Sequence, residues 1–129
     1  MPTGLPAATG DVLTAAMVNG LVSYTLNSQS GATYTLASTD QYQVLVVTTN
    51  ASTKTVSIPT DATYAFPNGT AITILNTGAG LLTINAVTSG TTTVTSAGAT
   101  SASPTVAQYK AAVAIKTGTN AWTVVGSVA

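Results

Sequence analysis

The sequence contains no cysteine, histidine, arginine or glutamate, and its only ionisable side chains are three lysines and three aspartates, for a formal charge of zero over 129 residues. Each absence removes a class of function. Without cysteine there are no disulfides, no thiolate nucleophile and no cysteine-based zinc site. Without histidine or glutamate the usual acids and bases of neutral-pH catalysis are missing. Without a lysine or arginine cluster nothing can neutralise a run of phosphates, so no nucleic-acid partner is expected. Charged residues make up 5% of the chain, against about 25% in ordinary globular proteins. No apolar run approaches the ~20 residues of a membrane-spanning helix, and the longest, such as 44–47, are strand-sized, so a soluble protein with no membrane partner is expected. Met1-Pro2-Thr3-Gly4-Leu5-Pro6 lacks the basic and apolar regions of a signal peptide, which predicts synthesis and assembly in a cytoplasm.

The three lysines leave a Ser–Lys nucleophile pair as the one formal catalytic option, through Lys54, Lys110 or Lys116, but no Gly-x-Ser-x-Gly turn presents such a serine. Asp11, Asp40 and Asp61 are far apart and lack the spacing of a calcium loop, so each reads as a turn or cap residue; only a threefold axis could gather copies of one around a cation. The glycine clusters are not followed by Lys-Ser/Thr or a helix, which excludes a phosphate cradle. The sequence therefore predicts a protein that is not an enzyme and needs no cofactor or metal.

What is abundant is threonine, about a fifth of the chain, whose branched Cβ and hydroxyl suit a half-wet strand. Residues 71–75 and 81–86 read as two strands around the glycine-rich turn 76–80, hence as a hairpin, with Ile72 and Ile74 on one face and Leu82 and Ile84 matching them. Pro67-Asn68-Gly69 reverses the chain just ahead, after Phe66. Period-two segments at 33–36, 43–47, 53–58 and 91–96 precede a final pair, in which Tyr109, Ala111, Val113 and Ile115 share one face and 117–120 turns the chain into 121–125. Trp122 and Val124 share a face, making the only tryptophan a core anchor. The expected core anchors are thus Phe66, Ile72, Ile74, Leu82, Ile84, Val113, Ile115 and Trp122. No internal repeat of 20–45 residues is apparent.

Ahead of these strands, residues 1–10 are rich in Pro, Gly and small side chains and predict an extended arm. Leu13, Met17, Val18 and Leu21 then fall on one stripe at helical spacing, with Thr14 as a cap and Gly20 limiting the length. The fold class that follows is all-β, an antiparallel β-sandwich or jelly-roll-like barrel carrying an N-terminal extended arm and one short helix. The expected division is an attachment segment, 1–30, and a β-sandwich domain, 31–129.

Phe66-Pro67-Asn68-Gly69, the turn Gly78-Ala79-Gly80 and the terminal hairpin with Lys116, Gly118, Asn120 and Trp122 together resemble a small all-β module of tailed-bacteriophage virion proteins, where Phe-Pro-x-Gly, Gly-Ala-Gly and Lys-x-Gly-x-Asn-x-Trp recur. The resemblance covers roughly residues 32–129. Residues 10–19 are similar to the attachment segment that opens many phage tail-fibre and minor tail proteins. The likeness implies a virion structural protein assembled in a bacterial host. The first expectation is a capsid decoration (cement) protein that trimerises and binds the major capsid protein through Pro2, Leu5, Pro6, Val12, Leu13, Met17, Val18 and Leu21. The alternative is a head or tail fibre adhesin that recognises host surface glycans with loops bearing Tyr42, Tyr64 and Tyr109.

Overall fold

A computed structural model describes residues 23–129, together with Ala15. Ten strands follow in chain order: β1 (Thr25–Gln29), β2 (Thr33–Thr35), β3 (Val44–Thr48), β4 (Lys54–Ile58), β5 (Ala71–Asn76), β6 (Leu82–Ala86), β7 (Thr93–Ser96), β8 (Thr105–Val106), β9 (Lys110–Gly118) and β10 (Ala121–Gly126), with a short 3-10 helix at Ser38–Asp40. They form a six-stranded sheet in the order β1-β3-β5-β9-β10-β7 and a four-stranded sheet in the order β2-β4-β6-β8. Thr25–Gln29, on the arm side of the expected division at residue 31, is an edge strand of the larger sheet.

The architecture is all-β with two sheets, but the antiparallel expectation is corrected. Among the described residues five of the eight strand pairings are parallel. From β1 to β6 the chain alternates between the sheets at every step, and each strand lies parallel beside the one laid down two strands earlier. The result is a coil of three rungs. The expected hairpin of 71–75 with 81–86 is therefore corrected as well: β5 and β6 belong to opposite sheets and are joined by a crossing. Only after β6 does the chain reverse, placing β8 antiparallel to β6 and β9 antiparallel to β5, with β9 and β10 as a true hairpin.

A repeat does exist between the second and third rungs. Leu45 pairs with Thr73 and Lys54 with Leu82, a constant offset of 28 residues. The crossing at 77–81 consequently lies on the crossing at 49–53: Thr77 and Gly78 donate backbone N–H groups to the Thr48 carbonyl, and Lys54 donates its backbone N–H to Leu81 O. This contact explains the Gly-Ala-Gly signature. A Cβ at Gly78 would overlap the Asn50 carbonyl oxygen, and one at Gly80 the Ser52 carbonyl, while neither glycine has a positive φ. Space, not backbone conformation, demands glycine at both.

Between the sheets lies one core, with Val46, Val56, Ile58, Phe66, Ile72, Ile74, Leu82, Ile84, Val106, Trp122 and Val124 all buried. Val113 and Ile115 are not part of it. The core-facing side of β9 carries Ala112, Ala114 and Lys116, and Val113 and Ile115 are half-buried on the outer side. The reason is volume: β9 sits between Ile72 and Ile74 of β5 and Trp122 and Val124 of β10, which fill that layer and leave room only for alanine.

Candidate functional surfaces

The polar residues of the body are mostly committed to holding it together. Lys116 is 2% exposed, and its Nζ donates to Asp61 Oδ1 at 2.9 Å and to Phe66 O at 2.9 Å while lying 5.8 Å from the centre of the Trp122 ring. Asp61 also accepts from the Asn120 backbone N–H, and its own N–H donates to Asn120 Oδ1. The Lys116 hydrogen bond, followed by that of Asn120, outweighs partial burial and holds the Asp61 carboxyl below its ordinary value. Phe66 meets Trp122 edge-on at 5.4 Å and Tyr64 at 4.6 Å. The following turn is closed by Thr70 N–H to Pro67 O, with Gly69 at φ 88 and its N–H on Lys116 O. Lys116, Asn120 and Trp122 thus form one clasp that fixes the connection from β4 to β5, so the Phe-Pro-x-Gly and Lys-x-Gly-x-Asn-x-Trp signatures are two halves of a single device.

Asp40 is likewise engaged. Its carboxylate accepts from Asn27 Nδ2 at 2.6 Å, Tyr34 Oη at 2.6 Å and the Ala37 N–H at 2.8 Å. Burial, reinforced by the Asp40 hydrogen bond, pushes the Tyr34 hydroxyl up to about 12, so it remains a donor. Lys54 lies inside the coil, donates its Nζ to Asn50 O at 2.5 Å, and has its pKa lowered by desolvation. Asn76, fully buried, donates to Gly80 O and Val106 O and so joins the third crossing to β8. None of these roles followed from composition; the signal for the clasp was the spacing of Lys116, Asn120 and Trp122.

Of the five described charged side chains, only Lys110 is exposed. The outer face of the four-stranded sheet carries hydroxyl and amide groups: Thr33, Thr55, Thr83 and Thr105 stand in one cross-strand row and Thr35, Ser57 and Asn85 in the next, with Ser57 Oγ donating to Asn85 Oδ1. The outer face of the six-stranded sheet is different. Its rows are Leu26, Leu45, Thr73, Val113 and Val125, then Ser28, Val47, Leu75 and Ala111, and then Ala71, Ile115, Thr123 and Thr95. Among the described residues, no strand or helix is stacked on it.

The expected attachment residues Pro2, Leu5, Pro6, Val12, Leu13, Met17, Val18 and Leu21 lie outside the described residues. Of the three candidate glycan-binding tyrosines, Tyr64 is half-buried against Phe66 and accepts from Gln41 Nε2, whereas Tyr42 and Tyr109 are exposed at φ near 60. Tyr42 precedes β3, and Tyr109 lies beside Asn76 at the far end of the same sheet, so the two are separated by roughly a strand length of 17 Å and do not converge. No group of three or more acidic side chains close enough to hold a metal occurs among the described residues, and no helix there is long and apolar enough to cross a membrane. A recess of about 390 Å³ lined by Thr95, Ser96, Thr123, Val125 and Val128 contains no ionisable group.

In comparisons with known proteins, the chain matches no family model, no curated protein and no solved structure. The phage likeness therefore rests on the motif residues themselves.

Proposed function

We propose that this chain is a structural protein of the tailed-phage virion, a capsid decoration (cement) protein that forms a homotrimer and binds the shell of the major capsid protein, assembled in the bacterial host cytoplasm. The observation that carries the reading is the fate of the charges: of the five charged side chains among the described residues, Asp40, Lys54 and Lys116 are buried, Asp61 is half-buried against Lys116, and Lys110 alone is exposed. A protein that must stay apart from its neighbours keeps charge outside. A nearly uncharged exterior suits close contact with a shell and with copies of itself, where apolar burial at roughly 25 cal/mol per Å² supplies the affinity. Residues 1–22, the arm and the apolar stripe of Val12, Leu13, Met17, Val18 and Leu21 after it, are the segment proposed to reach the shell. The adhesin reading has less support, because the two exposed tyrosines sit at opposite ends of a sheet.

The test is labelling of purified capsids, with copies counted and located by electron microscopy. Full-length protein is expected to decorate the head in multiples of three, with binding nearly unchanged between low and high salt because so few charges take part. A chain lacking residues 1–22 is expected to remain a folded trimer and leave capsids bare, and unchanged labelling by it would remove this segment from the mechanism. Attachment confined to the tail, or capsids that stay bare with the full-length chain, refutes the proposal.

A further inference from the structure

We propose that the outward edge of β1 takes up an extended segment of the shell protein as a further strand of the larger sheet, a contact that rests on the capsid-binding reading above. Two sheets have four edges, and the chain itself closes two of them. On β7, the Ser96 N–H donates to Ser101 Oγ and the Ser101 hydroxyl donates to Ser96 O. On β8, Thr105 and Ala129 exchange backbone hydrogen bonds. The edges with no strand beyond them among the described residues are therefore those of β1 and the three-residue β2, which together form the first rung and the open end of the coil.

Alternation along β1 identifies the groups on offer. Thr25 donates its N–H to Gln43 O at one end of the β1–β3 ladder, and Gln29 O accepts from the Thr49 N–H at the other. Thr25, Asn27 and Gln29 thus face β3, and the N–H and C=O groups of Leu26 and Ser28 point out of the sheet. The side chains of this rung are already satisfied: Asn27 Nδ2 donates to Tyr34 Oη and Asp40 Oδ1, and Gln29 Nε2 donates to Asn27 Oδ1. What remains open is backbone. Edges of this kind are usually blunted by lysine, proline or a bulge. Residues 24–36 contain no charged residue and no proline, and β1 keeps unbroken register with β3.

Position and symmetry select the occupant. Residues 1–22, the segment proposed to reach the shell, stop just short of β1, so the open end of the coil is the end joined to that segment. A second copy does not fit, because β1 can pair with β1 of another copy only across a twofold axis, and the proposed trimer has none. The shell segment must be extended, to meet the outward backbone groups of Leu26 and Ser28, and uncharged, with an apolar residue against Leu26, which at 66% is the most exposed of the described leucines, isoleucines and valines. So few hydrogen bonds do not hold a partner alone, so the edge acts together with residues 1–22.

Ser28→Pro in the full-length chain tests the edge. Proline there removes an outward N–H and leaves the β1–β3 hydrogen bonds in place, as edge prolines do, whereas Ser28→Ala keeps the N–H. The proline variant is expected to fold as a trimer and to label purified capsids at least about tenfold more weakly than the native chain, with Ser28→Ala labelling normally. Undiminished labelling by Ser28→Pro overturns the edge contact and leaves the decoration reading intact, while bare capsids with the native chain refute both. Hydrogen exchange on the native chain decides if the proline variant fails to fold. In the free protein the amides of Leu26 and Ser28 should exchange more than about tenfold faster than that of Asn27 between them, and on capsids they should slow by about the same factor. Protection of both amides in the free protein at every dilution would assign the edge to another part of this chain, protection lost on dilution would assign it to a second copy, and either overturns the proposal. So would exchange at Leu26 and Ser28 that capsids leave unchanged.

Discussion

Replacing Gly80 by alanine probes the stacking of one rung on another, the contact that defines the coil. The added methyl would overlap the Ser52 carbonyl oxygen, a backbone atom that no rotamer change can move away, and the nearest alternatives are the Ser52 carbon and Thr53 nitrogen of the same crossing. Relief requires the third crossing to lift from the second, which weakens the Lys54 N–H to Leu81 O and Asn76 Nδ2 to Gly80 O bonds on either side. Overfilling of this kind costs about 3 kcal/mol, the upper part of the usual range. With an m value of about 2 kcal/mol/M, the urea midpoint should fall by about 1.5 M. Gly90→Ala is the control: a Cβ there meets nothing within 4 Å and the residue has no positive φ, so the substitution should raise stability by about 0.4–1 kcal/mol through the unfolded chain. Equilibrium urea unfolding followed by Trp122 fluorescence measures both. Equal midpoints for the two variants would refute the rung-on-rung contact.

Two further outcomes concern the clasp. Asp61→Asn should cost about 3 kcal/mol, because it removes the counter-charge of the nearly inaccessible Lys116 ammonium and turns one of the two acceptors, facing Lys116 or the Asn120 N–H, into a donor, while Lys116→Met should cost less, since Asp61 is 19% exposed and water can reach it. The double variant should lose less than the two singles combined, and strict additivity in the unfolding cycle would show that the pair is not coupled. Stability should also respond to acid through Asp61. Its folded-state pKa is lower than 3.8, so the unfolded chain binds the proton more readily; the stabilisation is complete above the ordinary carboxylate value and is lost as pH falls through the folded value. Urea midpoints of the native chain and of Asp61→Asn should therefore converge below about pH 4, and a gap that stays constant to pH 2 would contradict the assignment.

Local structure was legible where one residue decides it. Trp122, Phe66 and the alternating isoleucines of β5 point inward as their periodicity predicts, and Pro67-Asn68-Gly69 turns where the sequence places a turn. Connectivity was not legible, because a strand followed by a glycine-rich turn and a second strand describes a hairpin and a crossing equally well; only the contact between 77–81 and 49–53 distinguishes them. The 28-residue repeat escaped for a related reason. It spans two rungs, and the first rung departs from it, with Thr25 pairing with Val44 and Thr33 with Thr55. Residues that share a rung position also differ in kind, since Lys54 stands where Leu82 follows and Asn50 where Gly78 follows. What is conserved between rungs is backbone placement, to which side-chain identity is only an indirect guide.

The misreading of β9 is the most informative case. Alternation assigns the larger apolar residues to the core, and on β9 those are Val113 and Ile115, yet the core side is Ala112, Ala114 and Lys116. The rule fails because it presumes that one side of a strand faces water. On this strand both sides are apolar, and the inner one is made small by Trp122 and the isoleucines of β5 that crowd it. The aliphatic outer positions of the larger sheet, set against the hydroxyl and amide groups on the outer face of the smaller one, are not explained by strand propensity, which would favour threonine equally on both.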